Sequence, residues 1–319
     1  MLVTGATGFI GRWVVRALQH RQADVAVAVR DPSRMEAAGF ASPDDRVLPV
    51  DCAVAGQLAA AVASWQPAVV FHLAGYGVAK NERDPDLMAR LNTEVVKELV
   101  HALAKNPAPE WGGLRLVHTG SAFEYGALPG PLDEAVSAAP QTEYGSSKLL
   151  ATQWLQHEAR THSVAAVVAR LFTVFGPGER DGRLFPTLLA AASGTDTIAF
   201  SSGEQERDFA LVWDVAEALV DLSLVPAERA LTGQAPLDVG VVNVATGTLH
   251  SVRSFIEAAA AALHIAPQRL GFGQIKQMAE DVAMLPVPIT RLQAATSARL
   301  SGDLGEMFQR VREWLDRCD

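Results

Sequence analysis

Thr4-Gly5-Ala6-Thr7-Gly8-Phe9-Ile10-Gly11 follows a short apolar run and opens an amphipathic stretch that continues to His20. Glycines at 5, 8 and 11, set between a strand and a helix, permit a tight turn, close approach of backbone to a pyrophosphate, and close packing of helix on strand. The first N–H groups of the helix then face the phosphates. Gly5, Thr7, Gly8, Phe9, Ile10 and Gly11 are therefore the expected cradle of a dinucleotide.

Outward from this turn, β-rich apolar runs alternate with helical periodicity, the pattern of a parallel sheet covered by helices. Strands are predicted at Leu2 to Thr4, Asp24 to Val29, Arg46 to Pro49, Ala68 to Leu73, Leu114 to Gly120 and Ala165 to Leu171. Helices are predicted at Phe9 to His20, Val54 to Trp65, Pro85 to Lys105 and Thr142 to Thr161, with Pro107-Ala108-Pro109 stopping the third. The fold class is α/β, a Rossmann-type doubly wound parallel sheet. After Phe175-Gly176-Pro177-Gly178 the alternation loosens until about Glu206, ahead of a helix at Trp213 to Leu224 and a strand at Val239 to Val244. Residues 1–175 plus about 207–248 are expected to form the dinucleotide-binding domain. Residues 176–206 plus 249–319 are expected to form a smaller, interleaved C-terminal substrate lobe at the carboxyl ends of the strands. Met1-Leu2-Val3 leaves barely half a strand before the turn, so a natural start slightly upstream is left open.

A formal net charge of -9 and the lack of a basic block argue against a nucleic-acid surface, so the expected partner is a small molecule. Cys52 and Cys318 alone give neither a disulfide framework nor metal-ligand spacing, and no metal is expected. No apolar run approaches the roughly 20 residues that span a bilayer, and no signal-peptide pattern opens the chain. A cytoplasmic protein without membrane attachment is the expectation.

At the end of the second strand, Val29-Arg30-Asp31-Pro32 places a base first. A guanidinium there pairs with a 2′-phosphate, whereas binding of NAD favours a carboxylate on the ribose hydroxyls. NADP(H) is thus favoured through Arg30, with Arg12 and Arg34 as auxiliary contacts; NAD(H), through Asp31, stays open. Asp51, with Cys52 beside it, ends the third strand as a candidate for the adenine, the competing reading being a turn cap. Leu73, Ala74 and Gly75 let the backbone pass near the cofactor, and His72 reads as a satisfied core histidine.

Tyr144 and Lys148, in Tyr144-Gly145-Ser146-Ser147-Lys148, are four residues apart on one helix face. The ammonium is expected to lower the phenol pKa, as proton transfer at a carbonyl oxygen requires. Ser121 lies 23 residues before Tyr144 at a strand end, where its hydroxyl can orient a carbonyl without adding charge.

These residues, with Phe71-His72-Leu73-Ala74, Asn92, Ser121-x-x-x-Tyr125-Gly126, Arg170-Leu171-Phe172-x-Val174-Phe175-Gly176-Pro177-Gly178 and Arg207-Asp208-Phe209, resemble the extended short-chain dehydrogenase/reductases, especially the branch that modifies nucleotide-diphosphate sugars. The resemblance implies that Ser121 hydrogen-bonds the reacting oxygen, Tyr144 transfers its proton, Lys148 binds the nicotinamide ribose, and Asn92 supports the site or satisfies local backbone. It implies that Arg207 grips the substrate diphosphate, a surface ion pair with Glu206 or Asp208 being the alternative. Arg183 is a weaker phosphate or base contact. Thr173 stands where many relatives have asparagine. It further implies that the helices Pro85 to Lys105 and Thr142 to Thr161 pair in a homodimer, although their apolar faces equally suit packing within one chain.

Sugar dehydratases of this family carry Asp-Glu directly after the hydroxyl residue, because removing water needs its own acid and base. Here Ala122 and Phe123 occupy those positions and neither shuttles a proton; Glu124 reads as structural. The expected reaction is therefore NADPH-dependent reduction of a nucleotide-diphosphate 4-keto-6-deoxyhexose. The alternatives are a 4-epimerase with tightly held NAD, a reductase of a non-nucleotide ketone or aldehyde, and a catalytically silent dinucleotide-binding regulator. Tyr76, Val78 and Lys80 are expected to line the sugar pocket.

Overall fold

A computed structural model describes residues 1–37, 46–78, 82–128, 130–231, 240–276 and 284–317. Lys80, Cys318 and the predicted strand start at Val239 lie outside the described residues. The first half runs β1 (Leu2–Thr4), α1 (Phe9–His20), β2 (Ala26–Val29), α2 (Arg34–Ala37), β3 (Val47–Pro49), α3 (Gln57–Trp65), β4 (Val70–His72), α4 (Pro85–Ala89), α5 (Val95–Lys105), β5 (Leu116–Ser121) and α6 (Glu143–Thr161). The second half runs β6 (Ala166–Leu171), β7 (Thr173–Phe175), α7 (Leu184–Ala191), β8 (Ile198–Ala199), β9 (Glu206–Leu211), α8 (Val212–Ser223), α9 (Ala227–Leu231), β10 (Val241–Val244), β11 (Leu249–Ser251), α10 (Val252–Ala262), β12 (Leu270–Gly271), α11 (Thr290–Ala295) and α12 (Leu304–Leu315).

Seven parallel strands form the main sheet in the order β10-β6-β5-β4-β1-β2-β3. Because successive side chains point to opposite faces, each central strand feeds two cores. Val3, Phe71, Val117 and Val167 meet Val14 and Leu18 of α1 and Val215 and Leu219 of α8. Their neighbours Leu2, Val70, Leu116 and Ala166 meet Leu58 of α3, Leu99 and Leu103 of α5 and Leu155 of α6. Both faces are covered, which is why these strands read as unbroken apolar runs. The strand order reverses between β1 and β4, so the crevice outside the carboxyl ends opens between Thr4 and His72, where such sheets bind ligands.

A smaller lobe carries a three-stranded sheet, β11-β9-β7, and the pair β12-β8. Its core concentrates half of the chain's phenylalanines: Phe175, Phe185, Phe200, Phe209, Phe255 and Phe308. Phe255 stacks on Phe209 with centroids 4.1 Å apart and meets Phe175 edge-on at 4.8 Å. Edge-to-face contacts of Trp13 with Trp213 and Trp314, at 5.5 and 6.0 Å, fasten α12 to the main sheet's helices.

The predicted single helix from Pro85 to Lys105 is one run of chain with a π-helical turn, Arg90–Glu94, between α4 and α5. An extra residue in the ladder turns Asn92 inward, where it is fully buried. The helix predicted from Val54 begins at Gln57 instead, because Gly56 occupies the left-handed region at φ 85 and no helix passes through it.

Candidate active site

The glycine turn has the shape of a phosphate cradle. Gly5 has φ +66, and a Cβ there would stand 2.8 Å from the Ala74 backbone; a Cβ on Gly11 would collide with the Gly5 carbonyl. Side chains are thus excluded where β1, α1 and the end of β4 converge, which fits a backbone surface reserved for a dinucleotide. Gly8 caps α1 without any side-chain hydrogen bond, and the first turn holds no acid, so the N–H groups suit an anion. Arg12 donates from Nε to the Gly8 carbonyl and from Nη2 to the Thr7 carbonyl, both at 3.3 Å, which ties it to the phosphate loop rather than to the adenosine end.

At that other end Arg30 is exposed. Asp31 turns its carboxylate onto Ser33, accepting from its N–H at 3.1 Å and its hydroxyl at 2.7 Å, and these bonds hold its pKa below the ordinary value. Arg34 is exposed on α2. Asp51 Oδ1 accepts from Ala53 N–H at 2.9 Å, a turn cap that leaves its other oxygen for a ligand. Cys52 is buried beside it, and burial pushes its thiol up to about 11. Thr7, Phe9, Ile10, Leu73 and Ala74 are half-buried, with Phe9, Ile10 and Leu73 packed against the α1–α8 core and Ala74 against the opposite one.

Ser121 ends β5 and caps the 3-10 turn Ala122–Glu124. The turn is a reciprocal box: Ser121 Oγ accepts from Phe123 N–H at 3.2 Å, while Ser121 N–H donates to Glu124 Oε1 at 2.8 Å. Glu124 is fully buried, and its other oxygen accepts from Thr152 Oγ1 at 2.8 Å and Arg170 Nε at 2.9 Å. Its structural reading holds, with a consequence the spacing did not show: it is the buried anion beside both Tyr144 and Lys148.

Tyr144 stands in the first turn of α6, which Thr142 caps through Gly145 N–H. Its phenol faces the Ser121 hydroxyl, which favours the ionised form, but burial wins and pushes the pKa up to about 12, with Glu124 and Glu82 adding to the rise. The expectation that Lys148 lowers this value is corrected. Four-residue spacing puts both groups on one helix face, yet Lys148 is not among the groups that shift the phenol; its Nζ lies beside Gly75, where a Cβ would stand 3.8 Å from it. Lys148 makes no hydrogen bond or ion pair among the described residues, and burial draws its own pKa down to about 8 against the pull of Glu124.

Asn92 accepts from Tyr76 N–H at 2.9 Å and donates to the Tyr76 carbonyl at 2.8 Å and Ser147 Oγ at 2.9 Å. Ser147 in turn donates to the Tyr144 carbonyl at 2.8 Å. Asn92 therefore ties the Tyr76 backbone to Ser147 and, through it, to the Tyr144 carbonyl. His72 is only half satisfied: Nδ1 meets Thr4 Oγ1 at 2.8 Å, but Nε2 has no partner among the described residues, and burial holds the ring neutral with its pKa near 3.

Two features escaped the sequence. Gly77, at φ +101, adopts a backbone conformation that strains any side chain, and a Cβ there would stand 2.6 Å from Met88 Cε and 3.3 Å from Tyr144 Cδ2. The glycine itself was the available signal. Buried Tyr125 donates to Asn243 Oδ1 at 2.7 Å across 118 residues, and Asn243 N–H donates to Glu134 at 2.9 Å. Nothing local announces that network.

Beside the phenol, Phe123 is 58% exposed and meets the Tyr144 ring edge-on at 5.9 Å; Val78 is 59% exposed, and Tyr76 and Ala122 are half-buried. Thr173 begins β7, half-buried, paired in register with Phe209. Arg207 on β9 is half-buried with Nη1 on the Glu206 carbonyl at 2.7 Å. Asp208 points away into the protein, bonded to Thr246 and Gly247. Arg183 caps α7, exposed, and pairs with Glu179 at 3.3 Å. Burial pushes Glu179 up to about 7.

The sequence profile of the NAD dependent epimerase/dehydratase family matches residues 1–229. A dTDP-6-deoxy-L-talose 4-dehydrogenase (NAD(P)(+)) of Kitasatospora kifunensis is 29% identical over 269 residues, 80% of this chain and 76% of that protein. A probable UDP-glucuronate 4-epimerase of Rhizobium meliloti is 29% identical over 273 residues, 79% of this chain and 75% of that protein. The solved structure of MoeE5 in complex with UDP-glucose and NAD superposes with a TM-score of 0.75 at 26% identity, covering 99% of this chain and 98% of that one. With the glycine cradle, the seven-stranded sheet and the Ser121–Tyr144–Lys148 cluster already in place, the match settles the family: this chain is an NAD(P)-dependent enzyme of the NAD-dependent epimerase/dehydratase family, the extended short-chain dehydrogenase/reductases.

Proposed function

We propose that the protein reduces the 4-keto group of a nucleotide-diphosphate 4-keto-6-deoxyhexose, with NADPH as reductant. The observation that carries this reading is the composition of the reacting strip: Ser121 and Tyr144 offer hydroxyls to one oxygen, while Ala122 and Phe123 offer no acid or base for eliminating water. A bound reduced nicotinamide supplies the hydride. Tyr144, protonated at neutral pH, gives its proton to the carbonyl oxygen, and Ser121 orients that oxygen. Lys148 and the backbone at Gly75 hold the nicotinamide ribose, and Asn92 keeps that arrangement in register. Arg207 takes the diphosphate from β9, a strand of the smaller sheet at the boundary expected near residue 207, beyond which residues 176–206 and 249–319 are the proposed substrate lobe. Tyr76, Val78 and Phe123 give the sugar an apolar wall suited to a 6-methyl group.

The similarity to a 4-dehydrogenase of a dTDP-6-deoxy sugar supports the position of the reacting carbon and the sugar class. Exposed Arg30, beside an Asp31 whose Oδ1 accepts both bonds from Ser33, supports NADPH over NADH. A homodimer through the α4–α5 and α6 helices is part of the proposal. A 4-epimerase that retains NAD is the second reading, favoured by the similarity to a 4-epimerase and to a protein solved with NAD.

The test is an assay of nucleotide-diphosphate 4-ketosugars with NADPH and with NADH. One NADPH consumed per ketosugar reduced is expected, and Arg207→Ala is expected to raise the sugar KM about 10- to 100-fold, the worth of charge-assisted hydrogen bonds, with NADPH affinity unchanged. Interconversion of sugars without net cofactor turnover reverses the ranking.

A further inference from the structure

Two histidines and a glutamate converge on the outer face of the α5–α6 pair. His101 lies in the second half of α5, Glu158 near the end of α6, and His162 caps α6. His101 Nε2 is 2.8 Å from Glu158 Oε2, His162 Nε2 is 3.4 Å from the same oxygen, and one donor atom from each residue lies within 4.8 Å of the others. We propose that His101, Glu158 and His162 form a binding site for a divalent transition ion of the zinc class, which clamps α5 to α6.

The donor set suits that class of ion: two imidazole nitrogens and one carboxylate oxygen, with no thiolate. A tetrahedral zinc ion with bonds of about 2.0–2.1 Å spaces its ligands about 3.4 Å apart; the His162–Glu158 pair has that spacing, the His101–Glu158 pair at 2.8 Å has to open by about 0.6 Å, and all donors lie within 4.8 Å of one another. The scaffold is firm. Lys97 lies 3.1 Å over the Trp154 ring between the same two helices, and Leu99, Leu103, Leu155 and Ala159 are buried beneath. Glu158 and His162, four apart, share one helix face. The carboxylate is 14% exposed while the imidazoles are 48% and 38% exposed, so the protein ligands form a base open to solvent on one side, as a three-ligand site with a bound water requires. A solvent-facing hydrogen-bonded network of this kind contributes little by itself. Glu158 lies fourteen positions along the helix from Tyr144, about 21 Å along the axis, so the site is remote from the reacting strip, although it shares α5 and α6 with the proposed homodimer contact.

Calorimetric titration of Zn²⁺ into the untagged, chelator-stripped full chain tests this. One ion per chain is expected, with a rise in Tm on adding Zn²⁺. His101→Ala and His162→Ala are each expected to weaken binding at least as much as disturbing a ligand's supporting hydrogen bond does, roughly 10- to 100-fold, and to abolish the Tm response while leaving cofactor affinity unchanged. Glu158→Gln, which keeps the side chain's size, gives the same loss if the alanines disturb the helix pair. Absence of binding by the wild-type chain, or equal Zn²⁺ affinity in the double His101→Ala, His162→Ala variant, overturns the proposal and leaves a surface network only.

Discussion

Ser121 and the backbone of Tyr144 are held by buried polar groups and Lys148 is itself buried, whereas Arg30, Arg183 and Arg207 are exposed or half-buried on three separate elements. Behind the first set runs a continuous chain: Arg170 to Glu124 to Ser121, and Asn92 to Ser147 to the backbone of Tyr144. In the second set Arg183 pairs with Glu179 four residues before it, and one of the contacts of Arg207 is to the carbonyl of its own neighbour. A reacting geometry must be fixed within fractions of an ångström and is built from over-determined groups. A rim that meets a flexible, charged substrate needs reach and charge more than fixity.

If the contrast is right, damage to the strip is severe and damage to the rim graded. Tyr144→Phe keeps the ring that packs against Phe123 and Gly77 and removes only the proton donor. Turnover is expected to fall about 10²- to 10⁴-fold with cofactor affinity unchanged. Steady-state assay and fluorescence titration of NADPH check both parts, and retention of activity would reassign the acid. Glu124→Ala leaves Arg170 and Lys148 without their anion in a buried setting. It is expected to cost about 3–5 kcal/mol of stability, the usual penalty for orphaning one partner of a buried pair, read by denaturant unfolding. A loss under 1 kcal/mol would show that the strip is less tightly fixed than its hydrogen bonds imply.

The same contrast explains what the sequence disclosed. The glycine turn, the parallel sheet and the spacing of Ser121, Tyr144 and Lys148 were legible because each depends on local backbone geometry or on period-two and helical patterns. The π turn at Asn92 was not, since an inserted residue in a helix is held by a contact sixteen positions away at Tyr76. Tyr125 with Asn243 is farther still. The direction of the Tyr144 shift was misjudged because spacing reports which face a charge shares, while burial, which only the packed fold reveals, decides the sign. The rim arginines were legible as charges, but no rule converts them into a sugar or a base.

Lys148 carries a measurable cost. Its pKa falls from an ordinary 10.5 to about 8, so between those values the unfolded chain holds a proton that the folded chain has lost, and its contribution to stability rises with pH across that window. Below pH 8 the full penalty is present, about 3 kcal/mol. Lys148→Met is therefore expected to stabilise the protein by up to about 3 kcal/mol at pH 7 and hardly at all above pH 10.5, while abolishing efficient turnover, a trade that marks a strained functional group. Thermal melts at both pH values check it. In the wild type, kcat/KM for ketone reduction is expected to decline as pH rises through about 8, where the lysine loses its charge, whereas Tyr144, near 12, stays protonated throughout.

The smallest effect is expected at Arg30. An exposed guanidinium that pairs with a 2′-phosphate works through solvent, so Arg30→Ala should raise the KM for NADPH about tenfold, equivalent to one charge-assisted hydrogen bond, and leave kcat and the KM for NADH alone. The effect should shrink with added salt, since an exposed pair is screened within about 10 Å at 0.1 M. Asp31→Ala separates the competing possibility. Its carboxylate braces Ser33 in the turn that carries Arg30, so its loss should loosen NADPH modestly and improve NADH little. If Asp31→Ala instead weakens NADH strongly while Arg30→Ala changes nothing, the ribose is read by the acid, and the enzyme belongs with relatives that retain NAD.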